Sequence, residues 1–396
     1  MKKNIVILYD YLEELGGLER MMFSHANWLN KNYKPTLAFA SVNKKTEETS
    51  REDFSLEKDI SVIEFSRFKL NEVFKVFSLI LSKKKILEQK PDLLISFSFL
   101  CSYLCYKIKK KYNIPYYIVM CHPPNFLYFN SFKDRLLYIN NIKRLIAAVL
   151  GFLFSPILKR MDKRAVKNAN KVFPISDYTR RRATNIYGER DYIILYPPIS
   201  DNFKIINQEN LKQYIEKYNL KSPFIYSTGR IIQDKKFEWI IEAYNKLSKK
   251  EHDLIISGMI TDKYKEKLKN LIKKLGLEDK ARILGPIPKE DLLALYNLAS
   301  AFVISAPKED FGLVPVEAIA CGTPVAAWND NAGPNETITD NITGFFADPY
   351  KTEELAKAIL KALKLKKNNK QFESYIKQFR TEAVRSRLLI SVKEII

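Results

Sequence analysis

Short apolar runs alternating with longer amphipathic stretches along 396 residues predict an α/β protein built from two doubly wound parallel sheets. Three observations carry this expectation: the alternation itself, motifs that fall at the ends of strand-like runs, and a single break near the middle of the chain. The length is generous for one core and comfortable for two, so disulfide support is not required. A hydrophobic content of 46% excludes a disordered or fibrous chain.

In the first half the strand-like runs are residues 4–9, 36–40, 62–65, 93–97, 116–120, 172–174 and 193–196, separated by spacers with helical periodicity. Tyr196-Pro-Pro-Ile-Ser-Asp201 then interrupts the pattern, and a polar, charged stretch runs on to Ser222-Pro223. Prolines and polarity mark this as the hinge between domains. The second series comprises 224–228, 254–257, 282–284, 301–304, 324–327 and 344–346, followed by two helices from about residue 352. The expected domains are 1–198 and 199–370, with a terminal helix over 371–396 whose amphipathic spacing allows it to return to the first domain. Doubly wound sheets gather ligands beyond the carboxyl ends of their strands, and two facing sheets leave a central cleft.

The four cysteines form no C-x-x-C pair and the three histidines are scattered, so no zinc site is expected. A strand-like run at the start, with neither an apolar leader nor a small-residue cleavage site, places the chain in the reducing cytoplasm. Formal net charge is +21. Membrane, nucleic acid and phosphorylated substrate are all compatible with it, as is a lysine-rich bias over solvated helix faces. Residues 131–190 hold 14 Lys and Arg against 4 Asp and Glu, nearly half of the excess. Inside that region the uncharged run 145–158 is too short to span a bilayer but is flanked by Lys143-Arg144 and Lys159-Arg160. It reads as an interfacial helix on an anionic surface or as an ordinary buried helix.

Four elements at strand ends suit phosphate and sugar chemistry. Gly16-Gly17 after the first strand lets backbone amides approach an anion, although paired glycines also make simple tight turns. Gly229-Arg230 with Lys235 puts two cations on a turn leaving a strand, where an arginine fork and a lysine point charge neutralise a diphosphate without a metal. His122, held by Pro123-Pro124 after an apolar strand, is placed to hydrogen-bond a sugar or to sit in the core. Last comes Pro307-Lys-Glu-Asp-Phe-Gly-Leu-Val-Pro-Val-Glu317. Its Glu309 lies in a loop beside the amides of Phe311, Gly312 and Leu313, while Glu317 lies on the following helix and suits a ribose diol.

Taken together, Gly16-Gly17 with Glu19-Arg20, the His122 turn, Ile175-Ser-Asp-Tyr-Thr-Arg180, Tyr196-Pro-Pro-Ile199, Gly229-Arg230 with Lys235, Glu309 to Glu317 and Gly322-Thr-Pro324 resemble, in order, the retaining glycosyltransferases of family 4. The resemblance implies the GT-B fold, two Rossmann-like domains across a cleft. It implies that Arg230 and Lys235 bind the donor diphosphate, that Gly17 supplies amides to it, that Glu317 holds the ribose, and that Glu309 and His122 hold the sugar. It also implies same-face attack by the acceptor, with a leaving phosphate oxygen taking the proton and no protein nucleophile. Two positions depart from the family pattern: Lys236 replaces a common glycine after the phosphate lysine, and Ala332 replaces a glycine before Gly333.

The expectation is a metal-independent retaining hexosyltransferase without a cofactor. The Cys121-His122-Pro-Pro segment and the basic stretch after it are most similar to mannosyltransferases of lipid-linked oligosaccharide or surface polysaccharide synthesis. Its partners would be a nucleotide sugar, GDP-mannose ahead of UDP-glucose or UDP-N-acetylhexosamine, and a glycan or lipid-linked acceptor at the inner membrane face. A sugar-nucleotide epimerase is the rival enzyme. A nucleic-acid-binding protein is the rival of another class, and no aromatic-and-basic or helix-turn-helix pattern accompanies its charge.

Overall fold

The computed structural model describes residues 2–12, 16–53, 55–66, 83–124, 127–128, 154–365 and 369–396. The chain divides into two compact units, Met1–Pro197 with Val384–Ile396, and Pro198–Ala383.

The first unit holds strands β1 (Asn4–Leu12), β2 (Lys34–Val42), β3 (Ser61–Glu64), β4 (Leu93–Ser96), β5 (Tyr116–Met120) and β6 (Lys171–Pro174). They form one sheet in the order β3-β2-β1-β4-β5-β6, all pairs parallel. The second unit repeats this plan with β7 (Phe224–Thr228), β8 (Asp253–Ser257), β9 (Ala281–Gly285), β10 (Ala301–Val303), β11 (Val325–Trp328) and β12 (Gly344–Ala347). Its order is β12-β11-β10-β7-β8-β9, again parallel throughout. In each sheet the winding direction reverses between the first and fourth strands, so the loops leaving β1 and β4, and those leaving β7 and β10, diverge and open a crevice at the carboxyl edge.

Burial explains why these runs become central strands. Ile5 to Leu8 and Leu93 to Ile95 are wholly enclosed, as continuous apolar runs covered on both faces should be. The Phe99–Tyr112 helix turns Cys101, Leu104, Cys105 and Ile108 onto the first sheet, an i, i+3, i+4, i+7 stripe. Two of the cysteines therefore act as small apolar core residues, and burial pushes their thiols up. In the second unit Leu355, Ile359 and Ala362 of the Thr352–Lys364 helix and Ile240, Ile241 and Tyr244 of the Phe237–Asn245 helix share one core with Ile225, Leu254, Ile256 and Val303. Each such aliphatic side chain contributes about 1.5–3 kcal/mol by leaving water.

Some expectations need correction. Residues 193–196 form no strand. They run beside β6 with Ile193 N–H donating to Val172 O at 3.3 Å and Leu195 N–H to Pro174 O at 2.9 Å, and the one ladder bridge is Val172 with Tyr192. Pro197 and Pro198, which lack N–H groups, prevent further pairing. Among the described residues beyond 352 there are three α-helices, Thr352–Lys364, Asn369–Ile376 and Thr381–Lys393, and the expected single helix over 371–396 is broken by a 3₁₀ turn at Lys377–Phe379. From Val384 onward the last helix belongs to the first unit. Tyr117 on β5 donates its hydroxyl to Ser391 O, and Lys171 pairs with Glu394. Just inside the second unit the two passes of the chain are joined, Ile199 N–H donating to Phe379 O at 2.9 Å and Thr381 Oγ1 to Ile199 O at 3.3 Å.

The loops after β7 and β8 approach through two glycines, with Gly229 N–H donating to Ser257 O at 3.3 Å. A Cβ on Gly258 would lie 1.8 Å from Gly229 O, on a backbone with φ +138°. A Cβ on Gly229, at φ +145°, would meet nothing within 4 Å. Gly258→Ala is thus expected to cost about 3 kcal/mol or more, clash added to backbone strain, and Gly229→Ala only the strain of about 1–2 kcal/mol. Denaturant titration of the two variants checks that order.

Candidate functional site

The second unit's crevice lies between β7 and β10. β7 runs into the exposed Arg230 turn and then a 3₁₀ turn over Gln233–Lys235. Lys236 follows with φ +53° and forms the N-cap of the Phe237–Asn245 helix. A non-glycine residue pays about 1 kcal/mol or more for this left-handed backbone, which explains why glycine is the easier occupant there. β10 leads to Ser305, whose hydroxyl lies 3.0 Å from Lys235 O and 2.8 Å from Lys236 O and so ties the two loops together. Trp328 Nε1–H donates to Ser305 O at 3.0 Å from β11.

Lys235 and Glu309 form an ion pair, with side-chain exposures of 31% and 21%. Partial solvent screening keeps such a contact weak, so an anion of higher charge can replace the carboxylate. The loop carrying Glu309 is itself clamped. Glu309 O accepts from Gly333 N–H at 2.8 Å, and Lys308 N–H donates to Asp330 Oδ2 at 2.8 Å. Gly333 sits so close that a Cβ there would be 2.3 Å from Phe311 Cα, a contact that only glycine allows. Its neighbour Ala332 is buried.

Gly312, at φ +87°, caps the Leu313–Ala320 helix with no side-chain hydrogen bond. Pro315 in the first turn has no N–H, so the amides there are those of Leu313 and Val314. Glu317, expected to face a ligand, is only 3% exposed. Its Oε2 accepts the Tyr296 hydroxyl at 3.0 Å. Burial and then the Glu317 carboxylate push the Tyr296 hydroxyl well above its ordinary value, which keeps it a donor.

In the first unit Gly16 N-caps the Gly17–Asn30 helix after β1. The carboxylate near this turn is the chain's own: Glu19 Oε2 would be 2.9 Å from a Cβ on Gly16. His122 is exposed after β5, its Nδ1 3.0 Å from Pro123 O, while Thr179 Oγ1 holds Cys121 O at 3.1 Å. Of the residues singled out from the sequence, Gly16, Gly17 and His122 belong to the first unit. Gly229, Arg230, Lys235, Glu309, Phe311, Gly312, Leu313 and Glu317 belong to the second. Within the second, the fold brings Lys235 onto Glu309 and carries Glu309, Gly312 and Glu317 on one loop and helix. Sequence reasoning missed Tyr296, Ser305 and Asp330, which steady these groups from other elements and lie in no motif.

Residues 208–379 match the family described as Glycosyl transferases group 1. That match lies wholly within the second unit. Similar curated proteins include an alpha-D-kanosaminyltransferase of Streptomyces kanamyceticus, 30% identical over 52% of this chain and 55% of that protein. Another is a GDP-mannose-dependent alpha-(1-6)-phosphatidylinositol monomannoside mannosyltransferase of Mycolicibacterium smegmatis, 25% identical over 55% of this chain and 60% of that protein. The chain thus spans about half the length of the curated relatives it matches. Among solved structures, a glycosyltransferase from Rickettsia africae ESF-5 superposes with a TM-score of 0.77 at 21% identity, covering 100% of this chain and 98% of the other. Anabaena Alr3699/HepE in complex with UDP gives 0.76 at 16% identity, covering 100% of both. The fold is therefore GT-B, as the resemblance implied.

Removing the Tyr296 hydroxyl leaves a buried carboxylate short of one donor. Tyr296→Phe is expected to lower stability by about 1–3 kcal/mol, measured by denaturant titration.

Proposed function

We propose that the protein transfers a hexose with retention from a sugar nucleotide to a hydroxyl of a glycan or lipid-linked acceptor at the cytoplasmic membrane face. GDP-mannose is the first donor to test. The observation that carries the reading is Lys235, partly exposed and paired with Glu309 in the β7/β10 crevice, beside the exposed Arg230 and the Gly312-capped helix. The donor's diphosphate displaces the Glu309 carboxylate from Lys235 and takes both cations, which offset the charge that grows on the leaving phosphate. Glu309 is then released toward the hexose, and Glu317, steadied by Tyr296, holds the ribose. For Gly16, Gly17 and the exposed His122 ring, the reading rests on the family resemblance alone.

Two cations in place of a divalent metal predict activity that survives chelation. With GDP-, UDP- and ADP-sugars and a membrane lipid extract, the wild type should release nucleotide in the presence of EDTA. Lys235→Ala should slow this by about 100-fold or more, the scale of losing one charge-stabilising group. Release at the wild-type rate from Lys235→Ala would remove the assignment. A change in the donor that needs no acceptor would favour the epimerase instead.

The membrane part of the proposal draws on the basic region 131–190, of which 131–153 lie outside the described residues. In the described part Phe154 is 50% exposed and Ile157 58% exposed at the start of the Ser155–Asn168 helix. Arg160, Lys163, Arg164 and Lys167 are also exposed on that helix, while Asp162, Ala165 and Val166 turn inward. Apolar side chains beside cations suit the headgroup layer of anionic lipid. No helix among the described residues is long and apolar enough to cross a membrane. Flotation with anionic vesicles at low salt should carry the wild type upward, and Phe154→Ser with Ile157→Ser should reduce the floated fraction severalfold.

A further inference from the structure

The first sheet has the same strand order as the second, so it opens an equivalent crevice between β1 and β4. In the second unit that position holds the Lys235 turn, the Glu309 loop and the Ser305 hydroxyl that joins them. In the first unit it holds a carboxylate. Asp10, near the carboxyl end of β1, accepts from Ser98 Oγ at 2.6 Å and from Cys101 Sγ at 3.4 Å, both on Oδ1. Ser98 follows β4 and also caps the Phe99–Tyr112 helix by accepting from Cys101 N–H at 3.3 Å. One serine thus fixes both a helix start and the carboxylate across the crevice. No described residue bonds Oδ2, and the side chain is half-buried.

The chemistry of the surroundings selects a ligand. Among the described residues, the titratable groups that act most on Tyr9 and Asp10 at this strand end are Glu19 on the Gly17–Asn30 helix, Cys101 on the Phe99–Tyr112 helix and Cys121 after β5. None is a cation. Burial raises the Asp10 carboxyl above its ordinary value, against the lowering effect of the Ser98 and Cys101 hydrogen bonds. A carboxylate with one oxygen unbonded accepts from a neutral donor, and a sugar hydroxyl is the neutral donor that the proposed reaction supplies.

We propose that Asp10, held by Ser98, binds the acceptor of the transfer reaction by accepting a hydrogen bond from one of its sugar hydroxyls on Oδ2. The inference rests on the hexosyltransferase reading. Asp10 orients the acceptor and takes no proton from it. The proton leaves with the departing phosphate. Only the ionised carboxylate presents two acceptor oxygens, so occupancy depends on pH, and the raised Asp10 value moves its acid limit above that of an ordinary carboxylate.

The test uses the full chain, the donor that supports nucleotide release, and graded membrane lipid extract. Asp10→Asn keeps the size of the side chain and an oxygen for Ser98. It should raise the KM for the extract about 10-fold, the worth of one hydrogen bond to a charged group, with a smaller change in donor KM. It should also remove the acid limb of the acceptor-dependent rate, a profile that a loss of packing alone would leave in place. Ser98→Ala should move the acceptor KM in the same direction by a smaller factor. Equal acceptor KM and an unchanged pH profile in Asp10→Asn would overturn the proposal. Saturation-transfer NMR with methyl α-D-mannopyranoside reads the same site without turnover. The wild type should show transfer that Asp10→Asn reduces severalfold, and equal transfer in both, or none in either, would overturn it. If no donor supports release in the wild type, the hexosyltransferase reading falls separately, and the NMR comparison still decides whether Asp10 holds a polyol.

Discussion

Everything in the second unit's site depends on the reversal of winding between β7 and β10. Neighbouring strands whose loops depart in opposite directions leave a crevice that no backbone crosses, and side chains from both loops can meet in it. The Ser305 hydroxyl exploits this by reaching the carbonyls of Lys235 and Lys236 from the neighbouring strand's loop. That contact sets the height at which Lys235 meets Glu309, because the lysine stem starts from a carbonyl already held. The clamp of Gly333 against Phe311 fixes the other side. A weak, partly exposed ion pair is thereby carried on rigid supports.

The two units use one topology for opposite electrostatics. At the equivalent place, the second presents a lysine whose carboxylate partner can be displaced, and the first presents a carboxylate bonded by neutral donors. Strand order alone fixes neither chemistry. It determines where loops diverge, and the residues placed there determine what gathers.

Much of the fold was readable because buried parallel strands are continuous apolar runs. Residues 116–120 and 224–228 agree with β5 and β7 to the residue. Residues 193–196 looked the same by composition but meet two prolines, and a single ladder bridge is what remains. The terminal helices were misjudged because the turn at Lys377–Phe379 has no glycine or proline to announce it. In the site, Lys235 and Glu309 stood out separately as parts of strand-end motifs, but their ion pair did not. Nor did the burial of Glu317. It depends on Tyr296, 21 residues away on a helix with no motif of its own, and such long-range contacts leave no local pattern. Asp10 was equally silent, since one acidic residue at the end of an apolar run looks like a solvated strand terminus.

The docking of Val384–Ile396 on the first unit has a consequence for how the protein is made. Tyr117 finds its hydrogen-bond acceptor at Ser391, and Lys171 its partner at Glu394, in a stretch translated after the whole of the second unit. The intervening domain has all its own residues before then and can condense as synthesis proceeds. The first unit must therefore wait, with part of its surface uncovered, until the second has been synthesised.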